Sequence, residues 1–142
     1  GIYDMSGGSY EYTAAYVNNS YIKDTESSYY GYGEALIEGE PYTKDVYVDG
    51  TTTGTTDSLA NNYATNKGKY GDAVWETSNE DGTSPYTDSW HQDYSYFPNT
   101  ANPFFRRGGG YGDTTSAGAF FFSSSAGNAG TVYSFRPVLV SL

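Results

Sequence analysis

The chain has no cysteine and only one histidine, His91. Without cysteine there is no disulfide framework, no thiolate nucleophile and no thiolate metal site. A lone histidine cannot supply a two-histidine, one-carboxylate iron centre. No nucleophile elbow accompanies it, so a serine hydrolase has no support either. His91 stands beside Trp90 in a polar stretch and reads as a loop hydrogen-bonding residue. Positive charge is scarce: 7 Lys+Arg against 17 Asp+Glu give a net charge of −10. Nucleic acid or an anionic membrane surface would demand the opposite balance. No apolar run approaches the ~20 residues of a membrane span, and no secretory leader is visible. Carboxylate pairs such as Glu38/Glu40 and Glu80/Asp81 lie in polar segments and read as solvated charge. The chain is therefore expected to be no enzyme, with no nucleic-acid partner and no membrane insertion. An extracellular location stays open, because a surface protein can do without disulfides.

Tyrosine and glycine are abundant, 17 and 18 in 142 residues. Tyrosine offers a large, stiff contact area with a polar tip, which binding loops exploit. It is also a good strand residue, and composition alone does not choose between the two. The length fits one domain over residues 1–142 with a core of its own. In "SYEYTAAYV", Tyr10, Tyr12, Ala14 and Tyr16 alternate with Glu11, Thr13, Ala15 and Val17, the pattern of a half-buried strand. "DSLANNYATNKG" predicts a helix, with Asp57 as cap and Gly68 as stop. Further strands are expected at "DAVWET" (72–77), "DYSYF" (93–97), "FFRR" (104–107), "AGAFFF" (117–122) and "TVYSFRPVLV" (131–140). A loop is expected over 79–85, and "SSSAGNAG" (123–130) should link the last two strands. The fold class is α+β, rich in β-structure, with one or two short helices and long irregular loops.

Motifs at the two ends narrow this. "GIYDMSGGSYEY" (1–12) resembles the opening G-[LV]-Y-D-M-x-G-N-V-x-E-W signature of the formylglycine-generating-enzyme-like branch of the C-type lectin fold. The closing signature of that branch, R-G-G-x-W and then G-F-R, is matched by Arg107-Gly108-Gly109-Gly110-Tyr111 and Ser134-Phe135-Arg136. Gly8 stands for Asn, Tyr12 and Tyr111 for Trp, and Ser134 for Gly. "AAYVNN", "YTKDVY", "ANNYATNKGKYGDAVWETS", "DYSYFPNTANPFFRRGG" and "SFRPVLVSL" further resemble tyrosine-rich surface proteins of Firmicutes-type bacteria with a pilin-like leading segment. The resemblance implies a C-type-lectin-like domain in which the first and last segments lie together. Because Gly1 falls inside the first motif, the chain is expected to be the C-terminal part of a longer one.

The same resemblance extends to the variable proteins of diversity-generating retroelements, whose C-terminal stretch is rewritten at adenines. Such rewriting of Asn-type codons yields Asn, Asp, Ser, Thr, Ala, Gly, Tyr and Phe, the letters that fill residues 110–133. The frame is expected to be Arg107, Gly108 and Gly109, then Ala117, Gly118, Phe120 and Phe122, then 135–140. The ligand-binding set is expected to be Gly110, Tyr111, Gly112, Asp113, Thr114, Thr115, Ser116, Phe121, Ser123, Ser124, Ser125, Asn128, Thr131 and Tyr133, with Gly130 and Val132 also variable. By strand alternation Phe120 and Phe122 should point into the core and Phe121 outward. A low-complexity hairpin with no role is the competing reading.

Glu11 matches the calcium-region Glu of the related enzymes, and hard oxygen ligands suit calcium. A Glu11 that hydrogen-bonds backbone in the core is the alternative. No other cofactor is implied. Arg107 and Arg136 read as braces within the frame, and Trp75 and Trp90 as core anchors. The expected function is a non-catalytic adhesin or receptor-binding domain with a protein or glycan ligand, displayed on a bacterial surface, pilus or phage particle. The alternative is a structural subunit that self-assembles into an extracellular filament. The sugar-binding E-P-N motif is missing, so the fold name does not imply a carbohydrate ligand.

Overall fold

The computed structural model describes residues 8–19, 22, 31–50, 58–66 and 93–135. Its elements are β1 (Tyr10–Asn18), α1 (Glu34–Glu38), β2 (Asp45–Val48), α2 (Ser58–Asn66), β3 (Phe104–Arg107), β4 (Phe122–Ser125) and β5 (Tyr133–Ser134). Short 3-10 turns occupy Pro41–Thr43 and Thr114–Ser116. Among the described residues the strands form one mixed five-stranded sheet, ordered β2-β1-β3-β4 with β5 also on β1. The class is therefore α+β and β-rich, as the sequence pattern suggests.

β1 is the hub. It pairs parallel with β2 at one end, from Ala15↔Asp45 to Asn18↔Val48, and parallel with β5 at the other, Tyr10↔Tyr133 and Glu11↔Ser134. Its second edge runs antiparallel to β3, which pairs antiparallel with β4. Tyr12 pairs with Arg106 but Tyr16 with Phe104, so β1 carries two extra residues between these points. The extra pair disturbs the ladder locally. An even number keeps Tyr12 and Tyr16 on one face, and the Tyr16 ring meets that of Phe104 at 6.0 Å.

The core lies on the other face, where Ala15, Val17, Tyr47, Tyr63, Phe97, Phe105 and Phe122 pack together. Phe97 is fully buried and meets Tyr47, Tyr63 and Phe105 at 5.5, 5.6 and 5.1 Å, all edge-to-face. That geometry suits the ring quadrupoles. α2 closes this side through a polar clamp. Asn62 and Asn66 are four apart and so share a helix face. Asn62 accepts from Gly50 N–H at 2.7 Å and donates to the Pro98 carbonyl at 2.9 Å. Asn66 accepts from Val48 N–H and donates to the Val48 carbonyl, both at 2.8 Å.

Several expectations need correction. β1 is not half-buried throughout: Ala15, Tyr16 and Val17 are all buried, because chain covers both faces at that end. "DYSYF" forms only a bridge, Ser95↔Phe122, along the outer edge of β4. "AGAFFF" is mostly turn, with Phe121 N–H bonded to the Gly118 carbonyl at 3.1 Å. The strand begins only at Phe122 and takes in Ser123, Ser124 and Ser125, which were expected to be linker. Of the strand expected over 131–140, β5 takes Tyr133–Ser134, and residues 136–140 fall outside the described residues. α1 and β2 have no counterpart in the sequence reading. Gly8–Tyr12 and Tyr133–Ser134 do lie together, through Tyr10 N–H to the Val132 carbonyl at 2.9 Å and the β1–β5 ladder. The expectations for Gly1, Asp57, Gly68, residues 72–77 and 79–85, Trp75, Glu80, Asp81, Trp90, His91 and Arg136 fall outside the described residues.

Candidate functional site

The sheet register assigns the face away from the core. β-pairing places Tyr10, Tyr12, Arg106, Ser123, Ser125 and Tyr133 on it. Beside Tyr16 and Phe104, which share this face, phenols and hydroxyls dominate it, with Arg106 among them.

Arg106 stands at the centre. Its guanidinium carbon lies 4.1 Å from the Tyr10 ring centre and 5.6 Å from that of Tyr133. Both are within cation–π reach. One Nη donates to the Tyr133 hydroxyl at 3.2 Å and the other to Ser123 Oγ at 3.3 Å. Among the described residues no carboxylate pairs with it. Its Nε is enclosed without an acceptor, a situation that costs about 1–3 kcal/mol where water is excluded. The Tyr12 hydroxyl donates to the Asn128 carbonyl at 2.9 Å, so its 2.7 Å contact with Ser125 Oγ is one it accepts. Burial pushes the Tyr12 and Tyr16 phenols up from 10.0. Tyr10 goes further, to about 12, from burial first and then from its hydrogen bond to Asp113.

Asp113 organises the loop after β3. One carboxylate oxygen accepts from the Tyr10 hydroxyl and the other from Gly110 N–H, each at 2.8 Å. Tyr111 N–H bonds the Gly8 carbonyl at 3.0 Å. Gly109 has φ +69°, and a Cβ there would lie 2.7 Å from the Ala117 Cβ. A Cβ on Gly118 would collide with the Asp93 carboxylate, which accepts from Phe120 N–H at 2.8 Å. Frame glycines therefore hold the loop by backbone conformation at one point and by close approach at the other. Thr114, with φ 52°, is the one non-glycine residue with positive φ among those described.

The expected binding residues divide by placement. Tyr111, Gly112, Thr114, Thr115 and Thr131 are exposed, Tyr111 by 81%. Asp113, Ser124, Asn128 and Tyr133 are half-buried. Gly110, Ser123, Ser125 and Phe121 are buried, Phe121 with 2% exposure. Ser116 ends the 3-10 turn, and its side chain is not among those described. The expectation that Phe121 points outward is wrong. Phe121 and Phe122 do diverge, but both sheet faces are covered there. Phe121 is sandwiched by Tyr94 at 5.4 Å and Tyr10 at 5.8 Å, while Phe122 enters the core. Phe120 is only half-buried, not a core residue.

Ser124, Ser125, Asn128 and Tyr133 come together round an open pocket of about 340 Å³, with Arg106 and Asn102 among its walls. Gly110–Ser116 is not part of it. Tyr10 joins the two groups, since its hydroxyl reaches Asp113 and its ring meets Tyr133 at 5.8 Å. Glu11 lies opposite Arg107 across β1–β3. Among the described residues no three His, Cys, Asp or Glu side chains gather as a metal site. Arg107 points to the core face, 5.7 Å from the Phe122 ring centre.

Arg106, Tyr10, Tyr12 and Asn102 were missed as site residues. The signal for three of them was present. Tyr10 and Tyr12 were read as sharing a face, and Arg106 follows two phenylalanines in an alternating strand, but the motif resemblance drew attention to Arg107. No family model matches the chain, and no curated protein or solved structure matches it.

Proposed function

We propose that the chain is a non-catalytic ligand-binding domain of C-type-lectin-like fold, presented outside a bacterial cell on its surface, a pilus or a phage particle. One observation carries this reading: a pocketed face of tyrosine, serine and asparagine side chains stands on a sheet whose opposite face is a closed aromatic core. Rigid support beneath adaptable polar and aromatic contacts is how binding loops reach affinity without a large ordering cost. The ligand is a protein or a glycan, and the residues that vary between relatives are those of 110–133.

The test is a set of combined substitutions at Tyr111, Thr114, Thr115, Asn128 and Thr131, screened against protein and glycan arrays. Ligand choice should change while each site costs at most roughly 0.5 kcal/mol. Variants that unfold, or that leave ligand choice untouched, would overturn the reading. A reverse-transcriptase gene beside an imperfect repeat of the codons for residues 107–138 would separately support variation.

A filament subunit is the second reading. Tyr42, Val48 and Phe135 support it, being 80%, 62% and 75% exposed. Exposed apolar side chains of this size often mark contact surfaces. Particle mass in dilute solution separates the two, since a display domain stays at one chain and a filament subunit grows with concentration.

A further inference from the structure

The pocket beside Tyr133 has an excess of hydrogen-bond donors and one positive charge. A guanidinium carries five N–H groups. Arg106 gives two of them to Tyr133 and Ser123, and its enclosed Nε meets no acceptor. One N–H remains on each Nη. The Tyr133 hydroxyl accepts from Arg106 and donates to no described residue, so its own proton is unspent. Ser124 also borders the pocket, but it pairs with Phe105 on the core side of the sheet, so its hydroxyl is not one of these donors. Most of the chain's charge is negative, yet Arg106 has tyrosine rings rather than a carboxylate against it.

From this we infer that the pocket binds a carboxylate-bearing group the size of a monosaccharide or a single amino-acid residue. A planar carboxylate matches the guanidinium fork. It brings acceptors only, which is what Arg106 and Tyr133 lack. One negative charge balances the pocket's single cation, whereas a doubly charged phosphate would add repulsion in a protein of net charge −10. The volume of about 340 Å³ equals that of about eleven water molecules, room for one such group. Asn102 and Asn128 on the walls offer polar contacts to the hydroxyl or amide substituents of the bound group.

The inference rests on the reading of this face as a binding surface, and one experiment can fail without the other. Isotope-labelled protein is titrated, by nuclear magnetic resonance, with glucuronate and glucose, and with N-acetylalanine and its amide. At least one carboxylate should shift the Ser124, Asn128 and Arg106 resonances saturably, with its neutral counterpart about tenfold weaker or more. Response to glucuronate alone identifies an acidic sugar as the source of the group, and response to N-acetylalanine alone a peptide carboxylate. Arg106→Gln should abolish the response. Tyr133→Phe keeps the ring over Arg106, removes the unspent proton, and should weaken binding several-fold. Equal binding of neutral and charged probes, no saturable response to either carboxylate, or full binding by folded Arg106→Gln would overturn the inference. If outward substitutions still redirect an array ligand while no carboxylate binds, the binding-domain reading stands and this one falls.

Discussion

Tyr10 carries two roles at once, a floor for Arg106 and a tether for Asp113. Its folded pKa of about 12 lies above the ordinary 10.0, so the unfolded chain releases that proton first. The stabilisation is fully present below pH 10.0 and is lost as pH rises towards about 12. Thermal melts across that window should show a falling Tm, with Tyr10→Phe flattening the fall and lowering Tm at neutral pH. The ultraviolet tyrosinate signal should show Tyr10, Tyr12 and Tyr16 titrating late. Phe121 gives a second prediction at this scale. Because it is buried between Tyr94 and Tyr10, Phe121→Ala should cost about 3–5 kcal/mol in denaturant melts. A near-neutral result would place Phe121 on the surface after all.

Among the elements, β1 was legible because its tyrosines recur with a strand's period. β3 was legible because a short aromatic run suits a strand even where both Phe104 and Phe105 are buried. α2 was legible from its periodicity. β4 was misplaced because three phenylalanines in a row defeat alternation. Both faces are covered there, and nothing in "AGAFFF" says that Gly118 bends over Asp93. β2 was illegible for a related reason: four residues paired to a strand 30 positions earlier carry too short a pattern to stand out. The Asn62/Asn66 clamp was hidden because asparagine in a helix reads as surface. Its burial is a property of what lies opposite. Asn62→Ala should cost about 2–3 kcal/mol in equilibrium unfolding, since it strands the Gly50 N–H and the Pro98 carbonyl. Gly118→Ala should cost about 1–3 kcal/mol by forcing the Asp93 carboxylate aside. Asp93→Ala in the Gly118→Ala background should recover part of that loss.

For the molecule as a whole, one sheet divides labour between its faces. The centre of the core side is aromatic and aliphatic, whereas phenols, hydroxyls and the Arg106 guanidinium dominate the other, with Phe104 beside them. The candidate pocket was partly legible, since Ser124, Ser125, Asn128 and Tyr133 were all singled out from the sequence. Its cation was not, because only the sheet register tells Arg106 from Arg107. The two-faced plan sets a further expectation. Arg106→Leu would remove the enclosed, unpartnered Nε but also two hydrogen bonds and two cation–π contacts, so its stability loss should be about 1–3 kcal/mol. Carboxylate binding should be lost in the protein that stays folded, and paired denaturation and titration curves would show both effects.

The position of β1 also bears on how the chain comes into being. The first described strand is the middle of the finished sheet, hydrogen-bonded to segments that follow it by up to 124 residues. Until β3 and β5 have been synthesised it has no neighbour on most of its length. Contacts of such long sequence separation slow the search for the native state, into the millisecond-to-second range for domains dominated by them. A nascent copy is therefore an open polymer with its tyrosines uncovered. It can close only once the segment proposed to vary has arrived. If residues 110–133 vary as proposed, each version would thus be tried twice, first as part of the closing step and only then as a surface for a partner.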